Sequence, residues 1–366
     1  MSTPKTISRE LRRKQWLENR RKKIERHRIR RRLRKENKLK LEFQNMHGLK
    51  QRHPSVTTHK NKSISIDLPR RLDFEDNYEI TADRLGSIRK AVDRNLKIKT
   101  IDFSELREIS TSAALVLAST VDQWREKVNG KIKANLPSWN ESIITQLHEM
   151  GYFTLLNIPE PPGNLPESDI CFLRFKREIA ASATAGDTAI ELREGIEKMV
   201  GESIQRQFLF EGISEAITNV SQHAYPDSMD EQQKYWWVSA SFNRKTRKLE
   251  VTFYDRGAGI PITLPSHKLF GLIRYKFDNW KDSGKIRAAM KLGRTSSGLK
   301  ERGKGLQNLL EFAKAHSAGK LSIKSLKGIY QEVFYIDEQG KQTVTKNKID
   351  HEYSIGGTLI EWSVYI

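Results

Sequence analysis

The chain has 366 residues, 37% of them hydrophobic, and a formal net charge of +20. This length accommodates two ordinary domains, and no apolar run is long enough to cross a membrane. The N-terminus is basic and lacks an apolar stretch, so it is not a secretory signal. The single cysteine, Cys171, excludes an internal disulfide and a multi-thiolate metal site, and a cytoplasmic location is expected.

The positive charge is concentrated in residues 1–62, a basic arm. Residues 1–60 contain 21 Lys and Arg against five Glu, a net charge of +16, whereas the remainder has 44 basic and 40 acidic residues. Apolar positions in the arm are too sparse for a core-facing stripe, so it is predicted to be helical or disordered. We expect residues 5–40 to bind RNA or DNA phosphates without reading sequence. A solvated tail with no specific partner is the alternative.

Residues 63–159 alternate between strand and helix patterns, which is typical of a small mixed sheet covered by helices. Helices are predicted at 78–95, 111–128 and 139–156. Strands are predicted at 63–69, 96–106 and 131–137. The Pro-rich segment 159–167 is predicted to end this domain.

Residues 168–366 form the second predicted domain. A strand at 171–175 and a long helical stretch at 188–225 come first, and a polar and helical segment at 264–302 precedes a helix at 305–316. Further strands are predicted at 234–243, 248–255, 320–326, 330–336 and 357–366. Helices followed by antiparallel strands predict an α+β fold.

Two stretches of this domain carry unusual polar patterns. The sequence YDRGAGIP, residues 254–261, places two glycines after an acid, which indicates a turn or a close approach of backbone to a ligand. In EAITNVSQH, Glu215, Asn219 and His223 are four residues apart. On an α-helix they would project from nearly one face. A solvated helix edge is the simpler interpretation of that row.

Two glycine-rich stretches follow. Gly298 to Lys304 match the start of a phosphate-binding P-loop, but Gly305 replaces the Ser or Thr and no apolar strand precedes it, so that interpretation is rejected. A helix N-terminus near Gly305 would still suit an anion, whereas a flexible loop is the simpler alternative. Later in the chain, Gly356 and Gly357 lead into the final strand.

Together, in this order, these stretches resemble the nucleotide-binding boxes of the GHKL superfamily, which includes gyrase-type ATPases, the heat-shock chaperone ATPase, histidine kinases and MutL. Residues 215–223 resemble the N box of the family, and residues 255–261, 302–306 and 357–358 resemble its three glycine boxes. The resemblance covers the C-terminal half. It implies a Bergerat-type α/β sandwich, with helices over a mixed, mostly antiparallel sheet, that binds ATP and Mg²⁺.

Carried over by position, the resemblance implies roles for single residues. Asn219 would hold Mg²⁺, and Glu215 would orient or deprotonate the attacking water or hydroxyl. Asp255 would accept the adenine amino group with Thr358 beside it. The other implied contacts are Gly257 and Gly259 at the base, Arg302, Gly303, Lys304 and Gly305 at the phosphates, Ser296 and Ser297 in a lid spanning residues 264–299, and His223 at a phosphate or at the rim.

The sequence HAYPD, which follows Asn219, resembles the anti-sigma-factor serine kinases of bacteria more than the other classes. Residues 100–119, TIDFSELREISTSAALVLAS, resemble the STAS fold of their antagonist partners. In that family a Ser or Thr at the start of a helix accepts phosphate, and here Ser110, Thr111 and Ser112 occupy that turn. Ser110 stands where Asp is usual and Ala113 where Gly is usual. We therefore favour a simple helix N-cap over a phosphoacceptor.

The resulting hypothesis is an ATP-binding regulator that is a Mg-ATP-dependent ATPase or a serine/threonine kinase. It would act on a STAS-type or other protein partner or on its own middle domain, and a homodimer is left open. The alternative is a nucleic-acid-associated ATP-binding switch with little or no turnover.

Overall fold

A computed structural model describes residues 63–94, 97–128, 134–161, 165–180, 185–202, 204–226, 228–230, 233–264, 281–295 and 305–366. The basic arm and its predicted nucleic-acid-binding residues therefore lie outside the described residues. Within the described residues, no helix combines the length and the apolar character needed to span a membrane.

The N-terminal part contains short parallel strands and helices. The elements are β1 (Ser63–Asp67), β2 (Arg71–Leu72), α1 (Tyr78–Asp93), β3 (Lys97–Asp102), β4 (Glu108–Ile109), α2 (Thr111–Val128), a 3₁₀ turn (Leu136–Ser138), α3 (Glu141–Glu149) and α4 (Tyr152–Leu156). Strand β1 pairs with β3 and β2 pairs with β4, both in parallel.

Two predictions in this part are wrong. The strand predicted at 131–137 is not formed where the structure describes it, because a 3₁₀ turn with Pro137 near its start occupies that position. The helix predicted at 139–156 is two helices. Gly151 has a φ of 93° and separates α3 from α4, because a left-handed residue cannot continue a right-handed helix.

The elements of the C-terminal part are β5 (Ile170–Ile179), α5 (Ala185–Val200), α6 (Arg206–Asn219), a π-helical turn (Val220–Ala224), β6 (Tyr235–Asn243), β7 (Lys248–Asp255), α7 (Ile260–Thr263), α8 (Asp282–Thr295), α9 (Gly305–Lys314), β8 (Ala318–Ser325), β9 (Gly328–Ile336), β10 (Gln342–Asp350) and β11 (Thr358–Tyr365). The strands form a seven-stranded sheet with the order β10-β9-β8-β11-β7-β6-β5, in which every adjacent pair is antiparallel. The predicted α+β class with a large antiparallel sheet is confirmed.

The helical stretch predicted at 188–225 is divided at Gly201, which has a φ of 82°, and α6 ends in the π turn. Strand β10 was not predicted. Its residues, QTVTKNKID, are mostly polar and exposed because it is an edge strand, and polar side chains on an edge discourage pairing with other chains.

Both faces of the sheet are covered by protein. On one face, α5, α6 and α9 pack over apolar side chains such as Trp236, Phe253 and Trp362. Because strand side chains alternate, the next residues along, Trp237 and Tyr254, face the other side. There they join the core of the N-terminal part, which includes much of α2. This second core therefore contains residues from both sides of the Pro-rich segment.

Polar contacts fix α2 against the sheet. The Asp122 carboxylate accepts hydrogen bonds from Arg177 Nη1 at 2.9 Å and from Trp237 Nε1 at 3.3 Å. Near the start of α2, the Thr111 hydroxyl donates to Ser241 Oγ of β6 at 2.8 Å. Since these groups are buried or half-buried, their pairing offsets the cost of removing them from water.

Replacing Trp237 with Ala tests this packing. The indole is fully buried between α2 and the sheet, so we expect the free energy of unfolding to fall by about 3–5 kcal/mol. Urea denaturation measures this change. Tyr365→Ala is the matched control, because Tyr365 is an exposed aromatic residue of the same sheet. A loss for Trp237→Ala no larger than that of the control would contradict the described interface.

Candidate functional site

Three strands bring polar residues to one end of the sheet. In the pairing of β11 with β7, Thr358 lies opposite Asp255, and in its pairing with β8 it lies opposite Ser325. All three side chains are buried. Thr358 thus lies beside Asp255, because the register pairs two strands that are distant in sequence. The role of the two residues at an adenine base stays a prediction.

Asp255 is a buried carboxyl group with backbone donors. Its Oδ1 accepts a hydrogen bond from the Gly257 N–H at 2.8 Å, as in an Asx turn. Burial raises the pKa of Asp255 to about 7, and the backbone N–H groups of Gly257 and Thr358 partly oppose this rise. A buried carboxyl group whose pKa lies near neutral pH is typical of a functional position.

The glycines after Asp255 are required by packing. A Cβ on Gly257 would lie 2.6 Å from the Ala224 Cβ, and a Cβ on Gly259 would lie 2.9 Å from Leu326 Cγ. Gly259 also has a φ of 86°, which side chains other than glycine rarely adopt. The structure thus explains both glycines by contacts within the protein, and their role in admitting an adenine base stays a prediction.

Helix α6 contributes two side chains that are hydrogen-bonded to each other. Asn219 Nδ2 donates to Glu215 Oε1 at 2.7 Å and to the Glu215 carbonyl oxygen at 2.9 Å. Burial raises the pKa of Glu215, and the hydrogen bond from Asn219 partly opposes this shift. Because both hydrogen bonds use the amide nitrogen, the amide oxygen is the Asn219 atom suited to a cation.

His223 does not continue the helical spacing of this pair. Helix α6 ends at Asn219, and His223 lies in the π turn, where it is exposed, so the expectation that these three side chains share one face stays a prediction. A π turn widens the helix and re-aims the residues that follow it, and such turns occur frequently at functional sites.

Backbone hydrogen bonds join the π turn to the loop after Asp255. The Ala258 N–H donates to the Ala224 carbonyl at 2.6 Å, and the Arg256 N–H donates to the Tyr225 hydroxyl at 3.2 Å. The Tyr225 hydroxyl in turn donates to the Tyr235 carbonyl at 2.5 Å. The π turn and the loop after Asp255 therefore adjoin, although about 30 residues separate them in sequence.

Residues 302–306 are described only from Gly305, where α9 begins as expected. Helix α9 packs against α6, and Asn308 O lies 3.7 Å from the position that a Cβ on Gly212 would occupy. The lid segment contains α8 as expected. Five predicted site residues lie outside the described residues: Ser296, Ser297, Arg302, Gly303 and Lys304.

Ser325 is a member of the site that sequence reasoning missed. Its hydroxyl donates to the Gly357 carbonyl and contacts Thr358 Oγ1, both at 3.1 Å, and it accepts a hydrogen bond from the Ile260 N–H at 3.0 Å. One serine thus connects β8, the turn before β11 and the start of α7. No motif marks Ser325 in the sequence, because its importance depends on the strand register.

The hydroxyl-rich turn before α2 has the geometry of an N-cap. Ser110 Oγ accepts from the Ala113 N–H at 3.3 Å and contacts Ser112 Oγ at 3.2 Å, so the favoured N-cap interpretation is confirmed. Thr111 and Ser112 are each 4% exposed. The Thr111 hydroxyl donates to Ser241 of the sheet, and burial limits access to both residues in this packing.

Metal ligation by protein side chains alone is not found in the described part of the chain, where no three His, Cys, Asp or Glu residues form a metal-binding group. A hard cation held by Asn219 would therefore need oxygens from a ligand and water, which is the usual coordination of Mg²⁺ by nucleotides in proteins. Comparison with protein-family models gave no match, and comparison with curated proteins gave no significant match.

The pKa of Asp255 predicts a pH-dependent stability. In the unfolded chain this carboxyl ionises near pH 3.8, and in the folded chain near pH 7. The folded state therefore holds a proton that the unfolded state has lost, and stability falls as pH rises between these values. Asn does not ionise, so the stability of Asp255→Asn relative to the wild type is expected to increase from pH 5 to pH 8.

Urea denaturation of both proteins at several pH values measures this difference. Asp169→Asn is the control, because Asp169 is half exposed in an ion pair with Lys245 at 2.7 Å. A difference between wild type and Asp255→Asn that stays constant from pH 5 to pH 8 would show that the carboxyl is already ionised.

Proposed function

We propose that this protein is an Mg²⁺-dependent ATP-binding regulator of the GHKL type, an ATPase or a serine/threonine protein kinase, with a STAS-like N-terminal domain. The observation that carries the proposal is the meeting of three distant segments: the loop after Asp255, the turn before Thr358 and the π turn after Asn219. Each segment lies in a stretch of the sequence that resembles a different nucleotide-binding box of the GHKL superfamily. Their convergence at one end of the sheet supports a common ligand.

The adenine base would be recognised at Asp255. An ionised carboxylate accepts a hydrogen bond from the exocyclic amino group, and the buried surroundings make an unpaired group there costly. A site of this kind rejects a base that lacks the donor, because its polar atoms would lose their partner. Thr358 lies opposite Asp255, and its hydroxyl contacts that of Ser325 on the next strand.

The phosphate end would be served by α6. The Asn219 amide oxygen is a suitable ligand for Mg²⁺, which when bound neutralises phosphate charge. Glu215 is half-buried with a raised pKa, which brings it towards the range in which a carboxylate acts as a general base. Its hydrogen bond with Asn219 holds the two side chains in a fixed relation.

A second candidate function is an ATP-binding switch that associates with nucleic acid and has little turnover. The net charge of +16 over residues 1–60 favours it, because such a charge density binds phosphate backbones. In this case nucleotide would change partner contacts without requiring Glu215 as a base.

Asn219→Ala tests the metal assignment. Removing the amide oxygen should lower the affinity for ATP in Mg²⁺ to the level measured in EDTA, because one ligand of the cation is lost. Isothermal titration calorimetry with and without Mg²⁺ measures both values. Gln222→Ala, an exposed residue of the π turn, is the matched control. If the ATP affinity of Asn219→Ala still increases with Mg²⁺ as much as that of the wild type, Asn219 is not a ligand of the cation.

Glu215→Gln separates the two candidate functions. Glutamine keeps an oxygen that accepts from Asn219 Nδ2, so ATP binding should persist, whereas loss of the base should slow turnover about 10²–10⁴-fold. Incubation with γ-labelled ATP measures both hydrolysis and phosphotransfer. Glu211→Gln, one turn earlier in α6, is the control. Biological activity that survives in Glu215→Gln would favour the switch over the enzyme.

A further inference from the structure

Helix α1 of the N-terminal part reaches the turn that precedes Thr358. Arg89 is almost fully buried, and its guanidinium donates to the Ile355 carbonyl and, at 3.4 Å, to the Ser354 carbonyl. The close packing leaves no room for a Cβ on Gly356, which would overlap this guanidinium. Arg89 therefore lies directly against the backbone that enters β11.

One turn further along α1, Asp93 reaches the loop that follows Asp255. Asp93 Oδ1 lies 3.3 Å from Arg256 Nη2 and 3.7 Å from Lys127 Nζ. The Asp93 and Arg256 side chains are only 1% and 2% exposed. Breaking a buried pair of this kind leaves uncompensated charges, so the contact holds Arg256 firmly in place.

Arg89 and Asp93 are four residues apart and so share one face of α1. That face contacts the residue after Asp255 and the turn before Thr358. The Tyr254 hydroxyl, on the residue before Asp255, donates to the Gly356 carbonyl of the turn at 2.5 Å. A Cβ on Gly357 would in turn lie 2.9 Å from the Arg256 Cα. Helix α1 therefore packs against the residue after Asp255 and against the turn before Thr358, and it supports the arrangement that the strand register sets.

We propose that Arg89 and Asp93 are positioning residues for recognition of the nucleotide base, supplied by the N-terminal part to a site in the C-terminal part. This inference rests on the proposed function. Base binding requires Asp255 and Thr358 in one arrangement, and α1 stabilises that arrangement. By linkage, nucleotide binding stabilises the docking of α1 to the same extent that docking strengthens binding.

The test measures the affinities of the full chain for ATP, ADP and GTP by calorimetry in the wild type and in Arg89→Met, Arg89→Lys and Asp93→Asn. Arg89→Met and Asp93→Asn should each lower ATP and ADP affinity by the same factor, about tenfold. They should also reduce the preference for ATP over GTP, because the base end is affected and the phosphate end is not. Arg89→Lys should retain part of the affinity, since the ammonium group keeps the positive charge and can still donate to a backbone carbonyl.

Two further variants complete the test. Tyr254→Phe removes only the hydroxyl group that donates to Gly356, so it should weaken base recognition even if a charge variant fails to fold. Glu75→Gln is the matched control, because it removes the ion pair with Lys320 across the same interface. Lys320 lies opposite Ser363, five residues along β11 from Thr358, or about 17 Å. The nucleotide affinities of the Glu75→Gln variant should therefore equal those of the wild type.

The outcomes distinguish a failure of the positioning role from a failure of the proposed function. If the wild type binds ATP and Asp255→Asn does not, while Arg89→Met, Asp93→Asn and Tyr254→Phe keep wild-type ATP and GTP affinities, the positioning role is overturned and the proposed function stands. Lower melting temperatures with an unchanged preference for ATP over GTP would likewise reduce these residues to a structural role. If the wild type binds no ATP, the proposed function falls and the positioning role falls with it.

Discussion

Strand β11 lies between β7 and β8, and its hydrogen bonds to β7 place Thr358 opposite Asp255. This register also decides which side chains face each core. A slip of one residue would turn Trp362 away from the helices and bring Glu361 into their core, which makes the register strongly determined. The candidate site therefore depends on the apolar pattern of β11, even where its own residues are polar.

Protein layers on both faces restrict a ligand to the ends of the strands. Antiparallel sheets commonly keep one face in water, but here the N-terminal part covers the second face and contributes α1 and α2. The candidate site is thus built from the ends of β7, β8 and β11 and the end of α6. Burial of the Asp255 carboxyl costs stability at neutral pH, because it raises the pKa of this group to about 7.

The sequence predicted local structure well where a single period or motif decides it. The bounds of α2 and β7 agree with their predicted ranges because each has a clear apolar pattern between turn signals. Predictions failed where backbone conformation overrode the pattern, as at Gly151, Gly201 and the π turn. Ser325 and the contacts of Arg89 could not be predicted, because they depend on strand register and on how α1 packs against a distant turn.

The central position of β11 also has a consequence for folding. Asp255 and Thr358 are about a hundred residues apart in the chain, and closing so long a loop is slow compared with forming helices and hairpins. Until β11 is inserted, β7 and β8 both present unpaired edges, which are the surfaces through which partly folded chains aggregate. A ligand that needs Thr358 binds only after this step, so it stabilises the finished sheet and gives no help to its assembly.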